Sequence, residues 1–462
     1  MQENINKNSA LFVLCLSAFL VPFMGSAINL ALPMIGKSLN MHAISLTWIS
    51  TSYLITTAVF QVPFARFADL IGRKKVFVIG LFLFSLSTFL CGLASSGFFL
   101  ILFRSLSGLG SAMIFGTSMA ILTSVFQPHE RGKAIGINTA VVYFALASGP
   151  FLGGMMTHYW GWQSLFLTSG ILGAGVIVYA LFFLKGEWIE SKGESFDYTG
   201  SFIYAAGLFG LIFGFSRLPH PLSFLLIALG ILAFIAFIFF ELKQKQPVFN
   251  VRIFSGNKTF SLSSVSALIN YASISAVAFM MSLYLQYVRG FDAQHAGLVL
   301  IVQAVLQAVI SLYAGKWSDK VNPAVLATAG MTVIVVGLTG LIFISASTSI
   351  IFLLFLLTLL GIGFGMFSSP NSNVIMSSVE KKYLSQASAT MGTMRLTGQA
   401  FSMGIAMMAI SLCVGNKVIT PELHPHFMKS LHMTFVVCAV LCIVGTYASS
   451  FRIKKMIIRC CT

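Results

Sequence analysis

Arg104 is the residue of this 462-residue chain whose chemistry is hardest to hide, because it stands inside a long apolar run. A cation in hydrocarbon costs about 2.5–3.5 kcal/mol even on the milder insertion scales, so it is kept for a partner or a task. Ser107 and Gly108 stand beside it, and the long side chain allows reach to a membrane edge. Arg395 is placed similarly, closer to the end of its run. The twelve acids are Glu3, Asp69, Glu130, Glu187, Glu190, Glu194, Asp197, Glu241, Asp292, Asp319, Glu380 and Glu422, and none lies well inside an apolar run. A chamber with Arg104 and no fixed carboxylate favours neutral, zwitterionic or anionic amphiphiles over lipophilic cations. Five of the seven cysteines sit in apolar runs without metal-ligand spacing and read as small core hydrophobes. Cys460 and Cys461 end a basic tail that is read either as acylated or as untouched. His158, His424 and His426 fall at or beyond the edges of apolar runs. With no metal or cofactor ligand set, no paired acids and no nucleophile motif, an enzyme is not expected.

The elements that carry these residues follow from composition. The chain is 57% hydrophobic and 9% charged, against about 25% charged in soluble domains. Its solvent is therefore lipid, and a soluble enzyme, a disulfide scaffold and a disordered chain are excluded. A spanning helix needs about 20 mostly apolar residues, since no backbone group stays unpaired in hydrocarbon. Fourteen runs qualify: 10–32, 45–64, 76–95, 97–124, 134–157, 163–184, 199–216, 221–240, 259–286, 293–314, 323–345, 349–372, 385–413 and 431–451. The first lacks a small-residue cleavage site and reads as a retained span. The pair 199–216 and 221–240 also fits one re-entrant hairpin. The excess of 28 Lys and Arg over 12 acids reads as a positive-inside bias rather than a nucleic-acid surface. On this count 21 basic residues share the side of the N-terminus, while Lys37, Arg217, Arg289, Lys417 and Lys429 lie opposite. Both termini are expected in the cytoplasm, in a multi-pass protein of the cell membrane.

The chain also repeats itself. The stretch Ala65 to Lys75 follows the second run, and Gly315-Lys316-Trp317-Ser318-Asp319-Lys320 echoes it after the tenth, with the two Asp residues 250 positions apart. Gly108, Gly110, Met113 and Ser124 match Gly361, Gly363, Met366 and Ser377 at an offset of 253. Two segments with nearly one offset argue for duplicated halves of six spans, separated by two inserted spans. The expected domains are 1–198, 199–258 and 259–462.

In this order and at these spans, the motifs resemble the major facilitator superfamily and, within it, the 14-helix drug-efflux branch of drug:proton antiporters. Ala65 to Lys75 is similar to the family's loop motif, with Trp48 to Tyr53 ahead of it. Arg104 to Gly108 resembles the fourth-helix motif and Gly149-Pro150-Phe151-Leu152-Gly153-Gly154 the antiporter motif. Gly161-Trp162, Pro247-Val248-Phe249 to Phe254 and Arg395 to Gly398 also fit. Ala65 replaces a usual Gly, Ser107 a usual Gln and Ala145 a frequent Gly, while Met24 stands where related antiporters often carry an acid.

The resemblance implies an all-α polytopic fold of two pseudo-symmetric six-helix bundles plus two inserted helices. It implies a conformational latch at Asp69, Gly72, Arg73 and Asp319. It makes Gly149, Pro150, Gly153 and Gly154 a close-packed face that limits leak between the halves. Cavity-lining candidates are Asn29, Arg104, Asn270, Tyr271, Asn371 and Asn373, with Gln303, Gln307 and Gln399 beside them; each also fits an interhelical hydrogen bond. The implied activity is export of small amphipathic compounds by proton antiport with alternating access around a midplane site. A specific exporter or facilitator of a neutral or anionic metabolite, and a non-transporting sensor, are the alternatives. The expected partners are the lipid bilayer, a small-molecule cargo and protons, with no cofactor, no nucleic acid and a monomeric chain.

Overall fold

The computed structural model describes residues 7–460 except 192, 219, 245, 246, 250, 319, 380–383 and 416, and among these the regular structure is helical, with no strand. The helices are α1 (Lys7–Ser38), α2 (Ala43–Ile71), α3 (Arg73–Gly92), α4 (Gly97–Val125), α5 (Pro128–Trp160), α6 (Gln163–Phe183), α7 (Tyr198–Ser216) and α8 (Pro221–Glu241). They continue with the short α9 (Arg252–Gly256), then α10 (Lys258–Leu283), α11 (Ala293–Trp317), α12 (Pro323–Leu341), α13 (Ile350–Ser377), α14 (Leu384–Cys413) and α15 (His424–Cys460). All but α9 contain a stretch long and apolar enough to cross a membrane, fourteen in total. The shortest of these, α7 and α12, have 19 residues each. At about 1.5 Å per residue they approach the roughly 30 Å of a hydrocarbon core. The segments 199–216 and 221–240 are thus two full-length helices. Side-chain caps close the exposed starts: Ser96 accepts from Phe99 N–H, Asn257 from Phe260 N–H and Asp292 from His295 N–H.

The chain forms two compact units, Met1–Met41 with Ser45–Val251, and His42–Ile44 with Arg252–Thr462. Helices α7 and α8 therefore group with the first unit. Within it α1 packs on α4, α5 and α6, and α3 on α4 and α6. Within the second, α10 packs on α13, α14 and α15, and α12 on α13 and α15, the same scheme with each partner shifted into the second copy.

Small residues explain the repeat in physical terms. A Cβ on Gly110 would lie 2.4 Å from the Phe84 backbone nitrogen and 2.7 Å from the Gly80 carbonyl, so α3 and α4 cross backbone to backbone. In the second unit, Gly330 and Gly363 meet in the same manner: a Cβ on either would fall 2.6–2.7 Å from the carbonyl of the other. Without a hydrophobic drive between helices in lipid, such close approach is the main source of association. One crossing exchanges its small residue: Gly116 of α4 rests on Ala65 of α2, whereas Gly315 of α11 rests on Ser369 of α13. Ala65 is tolerated in the loop motif because its partner helix supplies the missing space.

Candidate functional site

Arg104 lies on α4 two turns from its start and is 1% exposed, so its side chain does not reach the protein surface. Its Nε donates to the Ile49 carbonyl of α2 at 3.2 Å, and its guanidinium sits 4.3 Å from the centre of the Tyr53 ring. Tyr53 is held in turn, its hydroxyl donating to Ser111 Oγ at 2.8 Å. Nη1 of Arg104 has no hydrogen-bond partner among the described residues, and no carboxylate pairs with the group. The hydroxyls of Ser50, Thr51 and Ser52, which follow Ile49 on α2, are buried without a partner as well. Buried donors are normally satisfied, so this concentration of open valences is unusual and leaves hydrogen-bonding capacity unspent.

The second unit has a comparable region. Asn270 of α10 is fully buried and neither Oδ1 nor Nδ2 has a partner among the described residues. On α14, which packs against α10, Thr393 and Thr397 lie one turn apart with both hydroxyls unpartnered. Most hydroxyls in these helices donate to a carbonyl one turn back, as Ser266 does to Leu262 at 2.8 Å. That default is what hides exceptions such as Thr393 from sequence reasoning. Tyr271 stacks edge-on against Phe364 at 5.3 Å. Gln303 and Gln307 are half-buried, and their backbone carbonyls form the floor on which Gly361 and Gly365 of α13 rest. Gln399 and Asn29 are half-buried on α14 and α1.

Asn371 and Asn373 hold structural hydrogen bonds. Asn371 donates from Nδ2 to the Ser263 carbonyl at 3.2 Å, tying α13 to α10. Asn373 is exposed near the end of α13 and donates to Ser318 Oγ at 2.5 Å, so it serves the loop after α11 and not the middle of a helix.

The loop motif of the first unit is gripped from one side. Arg73 is buried and fully occupied: Nε meets Asp69 Oδ1 at 2.7 Å, Nη1 meets Ser124 Oγ at 2.8 Å and Nη2 meets Glu190 Oε2 at 3.0 Å. Gly72 takes φ +124°, a conformation that side chains avoid, and a Cβ there would collide with Glu187. Glu187 fills that space and accepts the Lys74 and Lys75 N–H groups at 2.8 and 3.2 Å, capping α3 from the segment after α6. Glu194 of the same segment pairs with Arg66 at 2.5 Å. Sequence reasoning placed Glu187, Glu190 and Glu194 outside the spans without seeing that they hold this motif. Asp319, the matching latch candidate, lies outside the described residues.

In α5, Gly149 and Gly153 let the backbone of α1 approach at Ser26 and Ala27. Pro150 has no N–H to offer the carbonyl one turn back, at Leu146, and Ser26 Oγ donates to that carbonyl at 3.0 Å instead. Gly149, Pro150 and Gly153 of the antiporter motif thus mark where α5 packs against α1 of its own unit, with Ser26 completing the contact. Among the described residues, no three His, Cys, Asp or Glu side chains gather as metal ligands would.

Comparison with known proteins adds three findings. The sequence profile of the Major Facilitator Superfamily matches residues 14–403 and, separately, 263–454. The riboflavin transporter RibZ of Clostridioides difficile (strain 630) is 25% identical over 96% of this chain and 97% of its own length. The cephamycin export protein CmcT of Amycolatopsis lactamdurans is 30% identical over 91% and 88%. The fold is similar to that of a solved bacterial homologue of the human lysosomal transporter Spinster, in an inward-facing and unoccupied conformation (TM-score 0.70, 17% identity, 98% of both chains).

Proposed function

Because the chain belongs to the Major Facilitator Superfamily, we propose that it is a secondary active transporter of the cell membrane, with both termini in the cytoplasm, exporting small amphipathic compounds by proton antiport. The observation that carries the cargo class is Arg104, a buried cation with an open Nη1 and, among the described residues, no carboxylate paired with it. Such a site attracts an acceptor-bearing neutral, zwitterionic or anionic molecule and repels a lipophilic cation. Relatives named for riboflavin transport and cephamycin export support a small organic cargo, and the second name supports outward movement. Within the second unit, Asn270, Thr393 and Thr397 have open hydrogen-bonding capacity of their own. The latch of Asp69, Gly72 and Arg73 stabilises one conformational state, and alternating access follows from making and breaking it.

The experiment is flux of a fluorescent neutral or anionic amphiphile in proteoliposomes, with and without an imposed pH gradient. Gradient-driven accumulation is the expected result. Flux indifferent to the gradient would replace antiport with facilitated diffusion of a specific metabolite, a reading favoured by Arg104 having no paired carboxylate among the described residues. A lipophilic cation as the best cargo would overturn the electrostatic argument.

A further inference from the structure

Helices α7 and α8 take no part in the reading above, yet they hold the one acid that is buried among the described residues. Glu241 ends α8 at 3% exposure. Its Oε2 accepts the Phe249 N–H at 3.5 Å, which ties down the Pro247-Val248-Phe249 segment that leads to α9. Its Oε1 has no partner among the described residues. Asp197 caps α7 through Oδ1, which accepts the Gly200 N–H at 2.7 Å, and its Oδ2 is likewise buried and unpartnered. The two open oxygens converge on Gly200: a Cβ there would lie 2.6 Å from each, so they stand no farther apart than twice that distance. Ser201, the next residue, is buried with its hydroxyl unpartnered.

The surrounding charges do not neutralise the pair. The field of Arg66 reaches Glu241, but its guanidinium is spent on Glu194 at 2.5 Å and on Ser191 at 3.0 Å. Lys243 stands in a cleft of about 670 Å³ bounded also by Ser195, Asp197, Thr199, Phe240 and Gln244, which reaches Asp197 but not Glu241. Two full negative charges so placed, one of them out of water, repel each other. A single proton turns that repulsion into an O–H···O hydrogen bond of the strong, charge-assisted kind.

We propose that Asp197 and Glu241 form a proton-binding site, with one proton shared between Oδ2 and Oε1, and that its occupancy sets how firmly Glu241 holds the segment running to α9. The proton is delivered by hydronium in the cleft, which is left as water: one O–H bond breaks there and one forms on a carboxylate oxygen. At low pH the pair is closed, and the shared proton draws charge from Glu241 and weakens its hold on the Phe249 N–H. At high pH Glu241 is ionised and accepts that N–H in a charge-assisted bond, so the segment is held more firmly. Its link to transport rests on the antiport reading, whereas proton binding itself does not.

The test is infrared difference spectroscopy of the protein in nanodiscs from about pH 5 to about pH 9, together with thermal unfolding over the same range. The wild type shows a protonated-carboxyl band that bleaches as pH rises. Glu241→Gln and Asp197→Asn each remove that band and reduce the pH slope of unfolding to less than about half. Gln keeps an acceptor for Phe249 N–H and Asn keeps the α7 cap, so both variants are expected to fold, and exposed Glu422→Gln retains the band. A band that survives both substitutions, or is missing from the wild type, overturns the proposal. So does stabilisation by sodium, potassium or calcium chloride at fixed pH that is lost in Glu241→Gln, which assigns the site to a metal cation. A titrating band with flux indifferent to a pH gradient leaves this site standing and removes the antiport reading.

Discussion

Replacing Arg104 with Met separates stability from transport, because the two effects differ in size. The wild-type guanidinium has one charge-assisted bond to the Ile49 carbonyl and a stacking contact with Tyr53. A hydrogen bond to a charged group contributes about 1.5–3 kcal/mol and a desolvated cation–π contact about 2. Against this stands the roughly 2.5–3.5 kcal/mol cost of placing a cation within a span. These terms nearly cancel, so Arg104→Met is expected to shift unfolding stability by less than about 2 kcal/mol, a few degrees in melting temperature. Transport has no such compensation. If Nη1, which is open in the structure, binds cargo through one charge-assisted bond, its loss lowers flux by about 10- to 100-fold. Initial rates in proteoliposomes and thermal unfolding in detergent give the two numbers on one preparation. Flux within about twofold of wild type, or a melting temperature lowered by about 10 °C or more, refutes the reasoning, since either makes Arg104 a packing residue.

Three further substitutions and one double variant test other elements of the first unit. Asp69→Asn removes the charge from the 2.7 Å contact with Arg73 but leaves Glu190 and Ser124 in place, so thermal unfolding should register a loss of about 1–3 kcal/mol; Glu190→Gln, at a side chain 68% exposed, should cost under about 1 kcal/mol. Ser26→Ala leaves the Leu146 carbonyl unpaired in a helix already broken by Pro150, and a destabilisation of about 1–3 kcal/mol is expected; restoring a backbone donor in the Ser26→Ala, Pro150→Ala double variant should recover part of it.

Much of the architecture was legible in the residues alone, and for a simple reason. In hydrocarbon each backbone group must be bonded within its own segment, so an apolar run of sufficient length has one regular structure open to it. The fourteen runs read from hydropathy correspond to the fourteen long helices. The paired offsets of 250 and 253 correspond to crossings that recur, Gly110 on α3 and Gly363 on α12.

The fate of the polar residues was settled by tertiary structure. Asn270, Asn371 and Asn373 look alike in sequence, yet the first is buried with an open amide, the second ties α13 to α10 and the third holds a loop. The faces a membrane helix turns to lipid and to its neighbours are both apolar, so periodicity does not tell which way a lone Asn points. The acids show the same limit. Glu194 meets Arg66 across 128 positions of chain, and Glu241 is buried because α7, 44 residues earlier at Asp197, folds back against it. Composition and pattern determine that this chain is a duplicated bundle of membrane helices. Which of its few charges are neutralised and which stay open for cargo or a proton depends on distances between residues far apart in sequence, and only the folded chain sets those.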